Sequence, residues 1–177
     1  MICVLLLLLI EGNAQNQKHP QLQKRRENQQ FRLAESYQRR NQHAKAVRIL
    51  ERLYNANPGN PQYYESLLDS YLQLTMLDKA QQLINIQRQH DPDNPRYDID
   101  YGHVLLKKGE QDQALKIWRT SLDKHSKEVG LYTLVAAIMR KNRLYQEAIE
   151  VYNEAMRKHP DKPFLLRELA DFYRSRL

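Results

Sequence analysis

The sequence is short of the residues on which most enzymes and disulfide scaffolds are built. Its one cysteine, Cys3, can close no bridge within the chain and belongs to no C-x-x-C motif, which excludes a disulfide framework and a thiolate zinc site. The five glycines, Gly12, Gly59, Gly102, Gly109 and Gly130, stand isolated and form no phosphate-cradling loop. With only seven prolines beside them, a sandwich or barrel assembled from many tight turns is also disfavoured. The six histidines, His19, His43, His90, His103, His125 and His159, are scattered without H-E-x-x-H spacing. Asp98 and Asp100 are two residues apart, which on a helix points them away from each other. No catalytic constellation remains, so the chain is not expected to be an enzyme, and neither a cofactor nor a metal is expected.

Long hydrophobic runs are absent too. The longest, Met1 to Ile10 in "MICVLLLLLI", has ten residues and is too short to cross about 30 Å of hydrocarbon as a helix. Small residues Gly12 and Ala14 follow it, so residues 1–14 are expected to be a secretory signal cleaved after Ala14. This places the mature chain outside the cytoplasm of a bacterium, periplasmic or secreted. Against that reading, no Lys or Arg precedes the apolar run, Glu11 sits in the cleavage region, and Lys18, Lys24, Arg25 and Arg26 lie on its far side. A short retained membrane anchor is the alternative. Residues 15–26 read as a polar, basic linker.

What the chain does have is helix-forming composition: Leu, Gln, Arg, Lys, Glu and Ala dominate 177 residues that are 41% hydrophobic, enough for a core of ordinary size. The stretch "EAIEVYNEAMRKHPDKP" shows how it is organised. Its Ala148 recurs as Ala114, Ala80 and Ala46 at one constant interval, without an insertion. Further columns at the same interval are Ala34, Leu68, Gly102, Ala136 and Ala170; Leu33, Leu67, Tyr101, Val135 and Leu169; and Tyr37, Tyr71, Leu105, Met139 and Tyr173. A closing column reads Pro58, Pro92, Ser126 and Pro160. Apolar residues within each unit follow helical spacing twice, as in Tyr64, Leu67, Leu68 and Tyr71, then Leu77, Ala80, Leu83 and Ile84. Each unit is therefore two short helices, with the small residues where the axes come closest. Proline punctuates the end of the second helix, and Asn60-Pro61 and Asn94-Pro95 open the next unit.

This pattern resembles the tetratricopeptide repeat family, whose period of about 34 residues, small-residue positions and closing proline it shares. The resemblance covers 27–177 as units 27–60, 61–94, 95–128, 129–162 and a partial 163–177. It implies an all-α fold, a right-handed α-solenoid of stacked antiparallel helix pairs with a concave face lined mainly by first helices. It further implies a non-catalytic scaffold that holds a protein or peptide partner along that groove. Carrying the family's inward columns onto this chain gives Phe31 and Glu35, Glu65 and Asp69, Ile99 and His103, Thr133 and Ala137, and Arg167 and Asp171, with Leu72, Lys107, Arg140 and Lys141 one turn further on. The candidate partner-binding residues are Glu65, Asp69, Leu72, Ile99, His103, Lys107, Arg140 and Lys141. The Lys and Asn residues with which some members clamp a partner's C-terminal carboxylate are replaced here by Phe31, Glu35, Glu65 and Asp69, so that clamp is not expected.

Charge is distributed unevenly. Residues 15–57 hold ten Lys or Arg against three acids, and residues 58–177 hold 18 against 17. Lys24, Arg25, Arg26, Arg39 and Arg40 are thus candidates for docking to an anionic surface, a membrane leaflet among them. Nucleic acid is disfavoured, since only Phe31 and Tyr37 are interleaved for base stacking. Two alternatives accompany the scaffold reading: a recruiting module of a longer enzyme or envelope-assembly protein, and a membrane-surface adaptor. The last segment, "PFLLRELADFYRSRL", lacks the polar outer face of a solenoid end and is expected to be covered by a further helix or a partner.

Overall fold

The computed structural model describes residues 2–174, with side chains from 20 to 174. Among the described residues there are nine α-helices and no strand. They are α1 (Ile2–Arg39), α2 (His43–Ala56), α3 (Pro61–Gln73), α4 (Leu77–His90), α5 (Pro95–Lys107), α6 (Gln111–Lys124), α7 (Val129–Lys141), α8 (Tyr145–Lys158) and α9 (Phe164–Arg174). The spacing read from sequence returns as geometry. The second helices α2, α4, α6 and α8 have 14 residues each and the first helices α3, α5 and α7 have 13, each type starting one repeat period after its predecessor. The expected signal over residues 1–14 lies outside the residues whose side chains are described. Within the expected linker, residues 20–26 are helical and continuous with the first helix of repeat one. Gln, Lys, Arg and Leu are good helix formers, and no glycine interrupts them there.

The chain forms two compact units, Met1–Met76 and Leu77–Leu177, so the division falls inside the second repeat. In the first unit α1 packs on α2 and α2 on α3; in the second, α4 packs on α5, α5 on α6, α7 on α8 and α8 on α9.

Helix ends show why these segments stop where they do. Asn60 and Asn94 cap α3 and α5 by accepting from the backbone N–H of Gln62 (3.0 Å) and Arg96 (3.1 Å), with proline at the first helical position. Each first helix then closes with the same turn. The N–H groups of Gln42, Met76, Glu110 and Leu144 reach back to the carbonyls of Tyr37, Tyr71, Leu105 and Met139 at 2.8–2.9 Å. The residue before each donor has left-handed φ: Asn41 (57°), Thr75 (54°), Gly109 (85°) and Arg143 (66°). This is a Schellman closure repeated four times. Second helices end two residues before Pro58, Pro92 and Pro160, and α6 ends at the equivalent Lys124 although Ser126 stands in the proline's place. Proline therefore reinforces a stop that the packing also sets; in the third repeat the Ser126 carbonyl is met by the His159 ring at 2.9 Å.

The small-residue columns are the closest contacts. Ala34, Ala46, Ala80, Ala114, Ala136 and Ala148 are fully buried. In the second unit a core cluster gathers around Trp118, Tyr132, Tyr152 and Phe172, each large side chain withdrawn from water for about 1.5 to 3 kcal/mol. A Cβ on Gly102 would meet Trp118 Nε1 at 2.3 Å, and that Nε1 instead donates to the Ile99 carbonyl at 2.9 Å. In α9, Leu165, Leu169 and Phe172 are buried, while Leu166 (63%) and Tyr173 (48%) face solvent.

Candidate functional site

The first unit carries an open cleft of about 330 Å³ between two first helices, lined by Glu35, Gln38 and Arg39 of α1 and Glu65, Ser66 and Asp69 of α3. The helical period puts them there. In α3 the stripe Tyr64, Leu67, Leu68 and Tyr71 is buried in the core, so Glu65 and Asp69, four apart on another face, are turned outward and exposed. Gln38 fixes the spacing of the walls: its Nε2 donates to the Ser66 carbonyl (2.9 Å) and to Ser70 Oγ (3.0 Å). Ser70 is fully buried and its Oγ lies 3.5 Å from His43 Nδ1, so one polar network ties α1, α2 and α3 beneath the cleft floor. Deeper in the same unit the Tyr71 hydroxyl donates to Glu51 at 2.7 Å; burial and that carboxylate hold the phenol well above its usual pKa, so it stays a donor.

Three carboxylates and one guanidinium line this cleft, and its net charge is negative. Like charges four apart on one helix face destabilise by a few tenths of a kcal/mol until a cation comes between them. The arrangement can receive a Lys or Arg side chain. Arg39 belongs to this cleft, whereas Lys24, Arg25, Arg26 and Arg40 are exposed and do not line it. Phe31 packs its ring against Tyr63 at 5.2 Å, and Leu72 is half-buried.

In the second unit the expected residues separate. Ile99 is fully buried in the core cluster and offers nothing to a partner. The family column gives a position along the helix, and at this one the side chain belongs to the core cluster. His103 lies one turn on and is half-buried, with Nε2 buried and without a hydrogen-bond partner among the described residues. Desolvation, then the charges of Lys107 and Lys141, hold its pKa down to about 4, so the ring is neutral at ordinary pH. Lys107, Arg140 and Lys141 are exposed, and Lys107 and Lys141 occupy the same position in successive repeats. Asp98 and Asp100 have structural roles, pairing with Arg88 (3.0 Å) and Arg96 (3.2 Å).

A further cleft, about 340 Å³, lies along α6 and α8 and is lined by Arg119, Asp123, Glu150, Asn153, Glu154 and Arg157. Sequence reasoning missed it because no periodic column marks the outer side of second helices. Much of its charge is met internally: Lys158 Nζ lies 3.2 Å from Asp123 and 2.7 Å from Glu154. Among the described residues no group of three His, Cys, Asp or Glu is placed to hold a metal, and no helix is long and apolar enough to cross a membrane.

Profiles of the tetratricopeptide repeat match residues 39–98 and 99–163. No curated protein matches the chain by sequence. Among solved structures the chain is similar to a thermophilic TPR protein of Thermus thermophilus, at 18% identity and a TM-score of 0.56 over 84% of this chain and 82% of that one. It is similar also to the MamA protein, at 15% identity and a TM-score of 0.52 over 77% and 74%, and to a double mutant of MamA RS-1, at 15% and 0.52 over 85% and 84%. At such identities the likeness is one of fold, stacked helix pairs of the α-solenoid class.

Proposed function

Because the chain belongs to the tetratricopeptide repeat family, we propose that it is a non-catalytic scaffold that holds an extended segment or helix of a protein partner against the exposed faces of its first helices. The observation that carries this reading is the acidic cleft of the first unit, where Glu35, Glu65 and Asp69 converge across two helices. Shape and charge together would select the partner: a basic side chain enters the cleft, and its desolvation is offset by carboxylates already held in place. The test is a photoreactive residue at Asp69 of the full chain, crosslinked in the native cell. One dominant partner is expected, lost in a Glu65→Lys variant crosslinked from the same position. An unchanged crosslinking pattern would remove the cleft from the mechanism.

A second reading rests on the exposure of Lys24, Arg25, Arg26 and Arg40 in the first unit. Four exposed cations in this unit favour an anionic surface, each contributing about 1 kcal/mol near a charged leaflet. Salt-sensitive binding to phosphatidylserine vesicles, abolished by neutralising these residues, would establish a membrane-surface adaptor. Export fits either reading, with the N-terminal segment removed after Ala14. Intact-mass measurement of the protein from its own cell tests it, and a mass that still includes Met1 to Ala14 would refute cleavage.

A further inference from the structure

We infer that the first-helix face of the second unit is an anion-receiving site, in which Lys107 and Lys141 take side-chain carboxylates of an acidic partner segment beside the half-buried imidazole of His103. This deepens the scaffold reading and rests on it, since it names the chemistry of a partner bound to first helices.

Three observations converge. Lys107 and Lys141 stand one repeat apart, in the same position of successive units, on α5 and α7, which pack together. Both are exposed, and neither has a carboxylate partner among the described residues. Three other lysines of the unit are neutralised locally, Lys108 by Asp78 (2.9 Å), Lys124 by Asp93 (2.9 Å) and Lys158 by Asp123 and Glu154, whereas Lys116 and Lys127, exposed like Lys107 and Lys141, do not share a position in successive repeats. The fields of Lys107 and Lys141 converge on one half-buried group, His103, with no opposing carboxylate among the described residues acting on it. A ring nitrogen buried without a hydrogen-bond partner is unusual in a folded chain, because the desolvation it suffers is not returned. An anion between the two lysines would reduce the positive potential at that nitrogen. His103 would then sense occupancy. Lys107 and Lys141 sit on long flexible stems and suit a carboxylate presented at variable height, as on an extended acidic peptide.

A synthetic Glu-Ala copolymer peptide serves as the probe, titrated into the full chain while the His103 ring signals are followed by NMR and affinity by calorimetry. The peptide is expected to shift those signals. A Lys107→Ala/Lys141→Ala variant should bind it roughly tenfold more weakly, the loss of charge-assisted contacts. A Lys116→Ala/Lys127→Ala variant, which removes two exposed lysines elsewhere in the unit, should bind as the parent does. Equal weakening in both variants, or ring signals that do not move, would overturn the site. Displacement of the peptide by an equal concentration of inorganic phosphate would overturn the assignment to carboxylates. Crosslinking at Asp69 separates this from the scaffold reading. Partner capture there with no peptide binding here defeats only the present inference. Peptide binding here with no effect of Glu65→Lys there defeats the role of the acidic cleft.

Discussion

Gly102 is where the chain's tolerance is narrowest. Any Cβ there collides with the indole of Trp118, and the ring cannot withdraw without giving up its bond to the Ile99 carbonyl. Gly102→Ala is therefore expected to destabilise by about 1 to 3 kcal/mol, read as a lower denaturant midpoint, although alanine fits the equivalent Ala34 and Ala136. The need for a small residue was legible in the column alignment, but its cause was not, because no alignment of columns gives the distance between residue 102 and the indole of Trp118. His103 makes a prediction of another kind. Its folded pKa of about 4 lies below its ordinary 6.5, so between those values the unfolded chain binds more protons than the folded one. The stability it confers is complete above about 6.5 and is lost as pH falls towards about 4. A His103→Gln variant should show a shallower loss of Tm from pH 7 to pH 4.5, and parallel curves would mean that the ring is not held neutral. Ile99 and His103 were assigned to one face by register alone. Burial divides them, and burial depends on the packing of other helices, which register along one helix does not give.

At the scale of the element, the repeat was legible because it writes itself in side chains of similar size: alanine at close contacts, aromatics and leucine along the stripes, asparagine and proline at the starts. The closing turn of the first helix was not. Its left-handed position is filled by Asn41, Thr75, Gly109 and Arg143, four residues with no chemistry in common, so no column announced it. What they share is a backbone conformation, and the two hydrogen bonds that define the turn come from main-chain atoms. Thr75 adopts it at the greatest disadvantage, being β-branched. Thr75→Gly should stabilise by about 0.5 to 1 kcal/mol, part of the relief being returned as unfolded-chain entropy. A thermal melt that is unchanged or lower would show that the threonine side chain compensates locally. The helical course of residues 20–26 was missed for a related reason: polar, basic composition describes a solvated surface equally well whether the backbone is coiled or helical.

For the molecule as a whole, fold and chemistry were legible to different depths. Residues 39–163 match the repeat whose period the alanines declare, and the fold recurs in structures that share only 15–18% identity. Position along a helix could therefore be carried over with assurance, and so could the turning of Glu65 and Asp69 to solvent. What the sequence could not supply was the third dimension of the cleft, where Glu35 and Arg39 come in from α1 across the Gln38 bridge to Ser66 and Ser70. The buried indole against Gly102 has one more consequence. Trp118 is the single tryptophan of the chain and lies in the second of the two compact units. Excited at its red edge, where tyrosine does not absorb, it is a native fluorophore that reports on residues 77–177 while helical circular dichroism reports on both units. Overlaying the two signals in one unfolding experiment would assign each variant's damage to one unit or to both, with no label attached.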